Sequence, residues 1–201
     1  MDLLVIRHGQ SEADILKVIE GRANFNLTEL GHKQAEAMAK WVNENYSINI
    51  IYSSPLNRAK QTAEYISKIT GIEIIFENDL MEWNNGLIAG LSREEANEKY
   101  PEQEKYPHTR IYEQESYIDF RMRAETILSK IINENDGGKT IVMVSHGGMI
   151  NMLFKSFMES PMNGKISIKN SDTGIHHWKV NNGNKEIILC NSNEHLKNIN
   201  E

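Results

Sequence analysis

The chain has 201 residues, of which 39% are hydrophobic and 25% charged, and this composition excludes a disordered or low-complexity segment. Its 22 basic and 28 acidic residues give a net charge of −6, which argues against nucleic acid as the main partner and still permits a small anionic ligand. The single cysteine, Cys190, cannot form an internal disulfide, and the apolar runs are too short for a membrane span or a signal peptide, so we expect a cytoplasmic protein without a membrane partner.

Apolar runs alternate with helical patterns along the chain. Strands are predicted at residues 2–7, 48–53, 72–76, 139–145, 174–180 and 185–190, and the last two flank a polar turn that is typical of a hairpin. This alternation predicts an α/β fold, a three-layer sandwich with a mostly parallel central sheet flanked by helices. We expect one domain over residues 1–190, followed by a polar and flexible tail over residues 191–201.

The predicted helices begin at recognisable capping residues. Thr28, Ser92 and Ser116 are each expected to cap a helix. Ser54 is followed by proline, which predicts an N-cap with proline in the first helical position and a helix to about residue 69. A further helix is predicted after Gly148, ending near residue 158.

The segment that follows the first strand carries candidate chemistry. Its residues are Arg7-His8-Gly9-Gln10-Ser11. Glycine permits a sharp turn that brings backbone amides close to a ligand. Arginine offers a planar fork that matches a phosphate edge, and a neutral imidazole can attack phosphorus. Taken alone, the segment is better explained by a histidine packed at a strand end beside a surface arginine.

Two further strand-to-helix junctions carry matching side chains. Arg58 lies in the first turn of the helix after the second strand, where the helix dipole disfavours a cation, so we expect an anion nearby. His146 follows the fourth strand. Ligands of an open α/β sheet bind beyond the carboxyl ends of its strands. The three junctions together therefore predict a site for an anionic substrate.

Two long loops supply the remaining candidates. Phosphoryl transfer needs a proton donor for the leaving oxygen, and Glu82, in the segment 78–91, is the best candidate. The second long segment spans residues 101–115. Candidate wall residues of the substrate pocket are Trp83, Tyr106, His108 and Tyr112. No metal-ligand spacing and no nucleotide-binding glycine pattern occurs, so we expect neither a metal nor another cofactor.

Six blocks in chain order give the chain a specific resemblance. They lie at residues 7–11, 21–35, 53–63, 80–90, 115–123 and 144–148. Together they resemble the histidine phosphatase superfamily, the fold of cofactor-dependent phosphoglycerate mutases and many small phosphatases, over nearly the whole chain to about residue 175. The resemblance implies a phosphoglycerate mutase-like fold and catalysis without a metal.

The resemblance also implies a role for each matched residue. His8 would be the nucleophile that forms a phosphohistidine, and Glu82 would protonate the leaving oxygen and then activate water. Arg7, Arg58 and His146 would bind the phosphoryl oxygens and stabilise charge in the transition state. Further substrate contacts are expected from Gln10, Ser11, Asp14, Gly21, Gly147, Trp83 and His108.

Three positions depart from the family pattern. Asp14 stands where the family often has an asparagine that touches the phosphoryl group, and its carboxylate should repel phosphate unless it is protonated or turned away. The loop at residues 86–90 lacks the aromatic and acidic members that are common there. Asp172-Thr173 stands where asparagine with a small hydroxyl residue is common. The five central residues are intact, so we expect activity, whereas the pattern leaves the substrate open.

The leading hypothesis is a metal-independent phosphomonoester hydrolase that acts through phosphohistidine on a small phosphorylated metabolite and releases inorganic phosphate. A phosphoglycerate mutase is the first alternative, although such mutases resemble longer chains with extra segments that enclose the phosphorylated intermediate. The second alternative is a non-catalytic protein that binds a phosphorylated ligand, which Asp14 alone favours. The sequence does not indicate an oligomeric state.

Overall fold

A six-stranded mixed sheet forms the centre of the computed structural model, which describes residues 1–135, 137–197 and 199. The strands are β1 (Asp2–Arg7), β2 (Ile50–Ser53), β3 (Ile74–Phe76), β4 (Thr140–Ser145), β5 (Ile175–Asn181) and β6 (Asn184–Ser192). Their order in the sheet is β3-β2-β4-β1-β5-β6. The first four in this order run parallel, whereas β5 pairs antiparallel with β1 and β6 pairs antiparallel with β5. The predicted mostly parallel sheet and terminal hairpin are confirmed.

Helices connect these strands. They are α1 (Glu12–Leu16), α2 (Glu29–Asn45), α3 (Asn57–Thr70), α4 (Arg93–Lys99), α5 (Tyr117–Asn133) and α6 (Gly147–Phe157). Short 3-10 helices occur at Asn78–Leu80, Gly86–Ile88 and Glu194–Leu196. In the part of the chain that the structure describes, none of the helices combines the length and the apolar character that crossing a bilayer requires.

The side chains of β1 show why the sheet needs helices on both faces. Leu3 and Val5 belong to one core, which contains residues of α5 and α6, whereas Leu4 and Ile6 belong to a second core with α2 and α3. All four side chains are fully buried. Burying a side chain of this kind contributes about 1.5–3 kcal/mol, so both faces of β1 favour a covering layer. The predicted three-layer α/β fold is confirmed.

Helix starts agree with the prediction in three cases and differ in one. The side-chain oxygens of Thr28, Ser92 and Ser116 each accept a backbone N–H from the first turn of α2, α4 and α5. The helix predicted to begin after Ser54 begins only at Asn57, with Leu56 as its N-cap. The Ser54 hydroxyl oxygen accepts the Leu56 N–H at 3.3 Å and so holds the turn before the helix rather than the helix itself.

The predicted tail begins later than residue 191. Strand β6 continues through Ser192 because Ser192 pairs with Ile175 at the start of β5. The Nε2 atom of His195 lies 2.8 Å from Thr173 Oγ1, which joins the segment after β6 to the segment before β5. Residues 198, 200 and 201 of the predicted tail lie outside the described residues.

The strand order brings the predicted junctions together. Strands β2, β4 and β1 are parallel neighbours, so their carboxyl ends meet at one edge. Arg7 at the end of β1 is level with Ser145 at the end of β4, and Ser53 at the end of β2 is level with Val144. The segments that follow these three strands therefore emerge side by side, at the edge where an open α/β sheet binds its ligands.

Candidate active site

The ring of His8 has a defined tautomer. The residue directly follows β1, and its side chain is 1% exposed. Its Nδ1 lies 2.8 Å from the Gly9 carbonyl oxygen, and because a carbonyl only accepts, Nδ1 carries the ring proton. The unprotonated Nε2 accepts a hydrogen bond from Arg58 Nε at 3.3 Å. Burial first, and then Arg58 and Arg7, hold the pKa of His8 well below its ordinary value, so the ring is neutral.

Close packing of Gly9 fixes the carbonyl that orients this ring. The Gly9 N–H donates to Thr62 Oγ1 of α3 at 3.1 Å. A Cβ added to Gly9 would lie 2.6 Å from the Gly31 carbonyl oxygen of α2, closer than real Cβ contacts. The backbone after His8 is therefore held between α2 and α3 at a separation that only glycine permits.

Arg58 is fully buried and faces His8 from the first turn of α3. Its Nη1 donates to Ala23 O at 3.0 Å and its Nη2 donates to Gly21 O at 2.8 Å. These two bonds fix the guanidinium plane, so that Nε points to His8. Burial lowers the pKa of Arg58, and the nearby Glu20 carboxylate opposes this effect. A guanidinium keeps its charge in proteins, so Arg58 supplies a buried positive charge beside His8.

His146 is the N-cap residue of α6, and its ring lies 5.1 Å from that of His8. Its Nε2 is 2.8 Å from Ser54 Oγ, which already accepts the Leu56 N–H. Among the described residues the Ser54 hydroxyl proton has no other acceptor within hydrogen-bond distance, so it is directed to Nε2 and the ring proton is on Nδ1. Burial first, and then Arg58, lower the pKa of His146 well below its ordinary value, so the ring is a neutral N–H donor.

Two buried nitrogens at this edge have no hydrogen-bond partner among the described residues, namely His146 Nδ1 and Arg7 Nε. Arg7 is held by its other nitrogens, since Nη1 donates to Asn170 O at 2.9 Å and Nη2 lies 3.3 Å from Asp172 Oδ1. A buried donor without a partner costs about 1–3 kcal/mol. Oxygens of an anionic ligand would satisfy both donors.

Glu82 lies at the amino end of α6, beside His146. Its Oε2 accepts the Gly148 N–H at 2.9 Å, and its Oε1 accepts those of Met149 and Trp83 at 3.1 and 2.8 Å. The carboxyl group lines a cavity of about 430 Å³. The cavity is also lined by Asp14, Val18, Ile19, Glu20, Gly21, Trp83, Asn85, Arg93 and Gly148. The acid candidate therefore faces the same cavity as several predicted substrate contacts.

Arg123 of α5 fastens the loop that carries Glu82, a function that the sequence did not reveal. Its guanidinium donates to the carbonyl oxygens of Asp79, Met81 and Glu82 at 2.9, 2.6 and 3.1 Å. It also pairs with Glu115 at 2.7 Å. The sequence showed only an arginine at a family-like spacing. Its partners are backbone carbonyls, which every residue has, so the residue types of the loop do not indicate these hydrogen bonds.

Glu20 is a second residue that sequence reasoning missed. Its Oε2 lies 3.4 Å from Arg58 Nε and 3.7 Å from His8 Nε2, and its Oε1 is hydrogen-bonded to Ser11 Oγ. The residue lies in the connection between α1 and α2, where a lone glutamate beside a glycine gives no sequence signal. Tertiary structure alone brings this carboxylate to His8.

A comparison with known protein families identifies the arrangement. The model of the histidine phosphatase superfamily (branch 1) matches residues 3–193. The chain belongs to the histidine phosphatase superfamily. The family expected from the six sequence blocks, and the prediction of an enzyme of the histidine phosphatase type, are confirmed.

Relatives within the superfamily include named phosphatases. A probable phosphatase of Schizosaccharomyces pombe is 32% identical over 98% of this chain and 71% of its own length. Phosphoserine phosphatase 1 of Hydrogenobacter thermophilus is 32% identical over 72% of this chain and 70% of its own length. The solved structure of an Entamoeba histolytica phosphoserine phosphatase mutant with phosphoserine is 29% identical, with a TM-score of 0.76 over 97% of this chain and 98% of that one.

The histidine phosphatase fold brings most of the predicted site residues together. Arg7, His8, Arg58, Glu82 and His146 meet at one edge of the sheet, as the contacts above describe. Asp14 and Trp83 line the cavity, and the Trp83 ring packs 4.9 Å from that of Phe120. Gly21 also lines the cavity, and its carbonyl oxygen accepts from Arg58.

Three predicted substrate contacts have other surroundings. Gln10 Oε1 accepts from the Thr28 hydroxyl at 2.8 Å, so this amide holds the start of α2. Ser11 is fully buried, caps α1 and binds Glu20. Gly147 lies in the first turn of α6, where its carbonyl oxygen accepts from Asn170 Nδ2 at 3.3 Å.

The prediction for His108 does not agree with the structure. This residue is exposed and stacks on the exposed Tyr106 ring at 5.9 Å, outside the set of residues that line the cavity. The same loop has further contacts on either side of these rings, and Tyr112 lines a neighbouring cavity. Arg110 pairs with Asp119 at 2.7 Å, and Tyr112 packs on Tyr100.

Proposed function

We propose that this histidine phosphatase hydrolyses a small phosphorylated metabolite through a phosphohistidine at His8. The observation that carries the proposal is the tautomer of His8, whose Nδ1–H donates to the Gly9 carbonyl and whose unprotonated Nε2 faces Arg58. A neutral imidazole nitrogen beside fixed positive charge has the reactivity that attack on a phosphate ester requires.

The proposed reaction has two steps. In the first, His8 Nε2 bonds to phosphorus, the bond from phosphorus to the leaving oxygen breaks, and the Glu82 carboxyl group protonates that oxygen. In the second, the Glu82 carboxylate takes a proton from water, the hydroxide bonds to phosphorus, and His8 leaves with inorganic phosphate as product. Arg7, Arg58 and the Nδ1–H of His146 bind the phosphoryl oxygens in both steps.

We propose that the reaction proceeds without a metal ion, because positive charge is already supplied by two arginines. Among the described residues, no group of three or more histidine, cysteine or acidic side chains is arranged to hold a metal. A chelator should accordingly leave hydrolysis unchanged, and loss of activity that Mg²⁺ or Zn²⁺ restores would contradict this part of the proposal.

The leaving group lies, in this proposal, against Trp83, Ile19 and Arg93. These residues line the cavity beside Glu82, and Ile19 and Arg93 also line a neighbouring cavity of about 290 Å³. Phosphoserine, named with two of the relatives, has a size that suits this space and heads the list of substrates for a first screen.

The test is release of inorganic phosphate from a panel that includes phosphoserine, 3-phosphoglycerate and 4-nitrophenyl phosphate. His8→Ala should abolish both turnover and the acid-labile phosphoenzyme. The control His32→Ala removes a ring that is hydrogen-bonded to Tyr65 outside the cavity, and it should preserve both. Hydrolysis by His8→Ala near the wild-type rate would overturn the proposal. Interconversion of phosphoglycerates without phosphate release would favour a mutase, and saturable phosphate binding without turnover would favour a binding protein.

A further inference from the structure

Glu20 places a carboxylate in contact with the nucleophile. Its Oε2 is 3.7 Å from His8 Nε2 and 3.4 Å from Arg58 Nε, and its side chain is 18% exposed. A phosphoryl group attacked by His8 must lie within about 3–3.5 Å of Nε2. The carboxylate therefore lies where one of the phosphoryl oxygens would bind.

A charged Glu20 is incompatible with tight binding of a phosphate dianion at this position. Two anions within a few ångströms of each other in a poorly hydrated site repel strongly. Arg58 Nε faces both of them but carries a single N–H, which cannot donate fully to Glu20 and to a phosphoryl oxygen at once. Entry of the phosphoryl group therefore requires one of two changes. Either Glu20 moves away, or one proton is shared between the Glu20 carboxyl group and the phosphoryl group.

The surroundings of Glu20 favour the proton. The groups that face it are Arg58 of α3, Arg7 at the end of β1, His8 directly after it, and Ser11 and Asp14 at the start of α1. Burial is the largest effect and raises the pKa of Glu20, Asp14 raises it further, and Arg58, Ser11 and Arg7 lower it. Ser11 also holds the carboxyl group in place through its hydroxyl, so rotation away would break a buried contact.

We propose that Glu20 is a phosphoryl-binding residue that takes up one proton when the phosphorylated ligand binds, and then donates its O–H to a phosphoryl oxygen. This inference rests on the proposed function, because it places the phosphoryl group at His8 Nε2. The proton comes from water for a dianionic ligand, or from the ligand itself when it enters as the monoanion. The complex therefore contains one proton more than the free phosphomonoester dianion and the free protein with a charged Glu20 contain together.

This proton coupling has a direction. The proposed complex holds one proton between Glu20 and the phosphoryl group. Phosphate binding therefore weakens about tenfold for each pH unit above the range in which these two groups lose that proton. Because the second ionisation of a phosphomonoester lies near pH 6, the decline should be visible between about pH 6.5 and 8.5. The value of kcat/KM for the wild-type protein should fall over the same range.

The first test is calorimetric titration of the wild-type protein with inorganic phosphate in buffers of different ionisation enthalpy. At about pH 8 we expect uptake of about one proton for each phosphate bound, because the ligand is then mostly dianionic. Binding without proton uptake would overturn the proposal, and this test does not depend on whether any variant folds.

The second test replaces the titrating carboxyl group by an amide. Glu20→Gln supplies a permanent N–H donor, so it should bind phosphate about tenfold more tightly than wild type near pH 8.5, with no proton uptake and no alkaline decline. Glu20→Ala removes the charge without supplying a donor and should gain less. Glu186→Gln removes one negative charge from an exposed position of β6 and should behave as wild type. Equal gains in Glu20→Ala and Glu20→Gln would show that only charge removal matters and would overturn the proposed hydrogen bond.

The remaining outcomes separate this inference from the proposed function. A wild-type protein that binds phosphate with proton uptake but hydrolyses no phosphomonoester would contradict the proposed function and leave the role of Glu20 standing. If wild type and Glu20→Gln both hydrolyse phosphomonoesters with identical pH profiles, the proposed function would stand and the role of Glu20 would be contradicted. Selective loss of ammonium-bearing phosphomonoesters in Glu20→Gln, with the pH profile unchanged, would assign the carboxylate to a substrate cation and overturn the inference.

Discussion

Two histidines at neighbouring strand ends carry the ring proton on the same nitrogen and differ in the nitrogen that faces the ligand site. His8 has its proton on Nδ1 because the Gly9 carbonyl accepts a hydrogen bond from it, and this leaves Nε2 unprotonated. His146 also has its proton on Nδ1, but there Nε2 is bound to Ser54 and the N–H is the group available to a ligand. One ring is thus suited to nucleophilic attack and the other to donating a hydrogen bond.

Ser54→Ala should weaken catalysis by releasing this tautomer of His146. Without the hydroxyl proton on Nε2, the ring can place its own proton there and lose the N–H that faces the ligand. We expect a loss of about tenfold in kcat/KM for 4-nitrophenyl phosphate, the value of one lost hydrogen bond in a buried site. Ser53→Ala is the matched control, because Ser53 Oγ donates to a backbone carbonyl and not to His146. Equal losses in the two variants would contradict a specific role for Ser54.

At the scale of elements, α6 contributes to the site through its amino end. His146 caps the helix, and the first free amides of its backbone bind the Glu82 carboxyl group. Arg123 holds the other side of the same loop through backbone carbonyls. The position of the acid candidate is therefore determined by two helices rather than by the loop that carries it.

Gly148→Ala should displace Glu82, because a Cβ at this position would overlap its Oε1. We expect a fall of about 10²-fold in kcat for an alkyl phosphate, which needs protonation of its leaving oxygen, and a smaller fall for 4-nitrophenyl phosphate. In Gly147→Ala the new Cβ would lie no closer than 4.0 Å to Arg7 Nε or to the Asn170 side chain. This neighbouring variant should preserve the ratio between the two substrates. An unchanged ratio in Gly148→Ala would contradict the assignment of Glu82 as the acid.

At the scale of the whole molecule, buried histidines make the fold sensitive to acid. Burial lowers the pKa of His176 and of His195 to about 4, and holds those of His8 and His146 well below their ordinary value of 6.5. Between these values the unfolded chain binds more protons than the folded one, so stability falls as pH falls. Glu20 and Asp172, whose pKa values are raised by burial, contribute the opposite slope.

Urea unfolding should therefore give a lower free energy of unfolding at about pH 5 than at about pH 7, with about 2 kcal/mol of the loss due to His176. His176 is fully buried, and its Nδ1 accepts the Asn191 N–H at 3.2 Å, which a protonated ring cannot do. His176→Gln should be less stable at neutral pH and lose less on acidification. A wild-type stability that stays level over this range would contradict the prediction.

Much of the fold was predictable because it depends on local patterns. Strand ends at Arg7, Ser53 and Ser145 follow from apolar runs, and the caps at Ser92 and Ser116 follow from the side chains that bind their own backbone. The start of α3 was not predictable from Ser54, because its hydroxyl is bound to His146, 92 residues further along the chain. The sequence pattern of a serine before proline is the same whether the serine hydroxyl caps the helix or binds a histidine ring that is remote in sequence.

The sequence alone determined the superfamily, the α/β fold and the five residues expected to carry the reaction, because strand periodicity and ordered motifs are properties of the chain itself. Tertiary structure alone decided the ring tautomers, the anchoring of Glu82 and the presence of Glu20 beside His8. Each of these depends on which backbone or side-chain group comes within hydrogen-bond distance across the fold, and such distances are fixed by packing between segments that are remote in sequence.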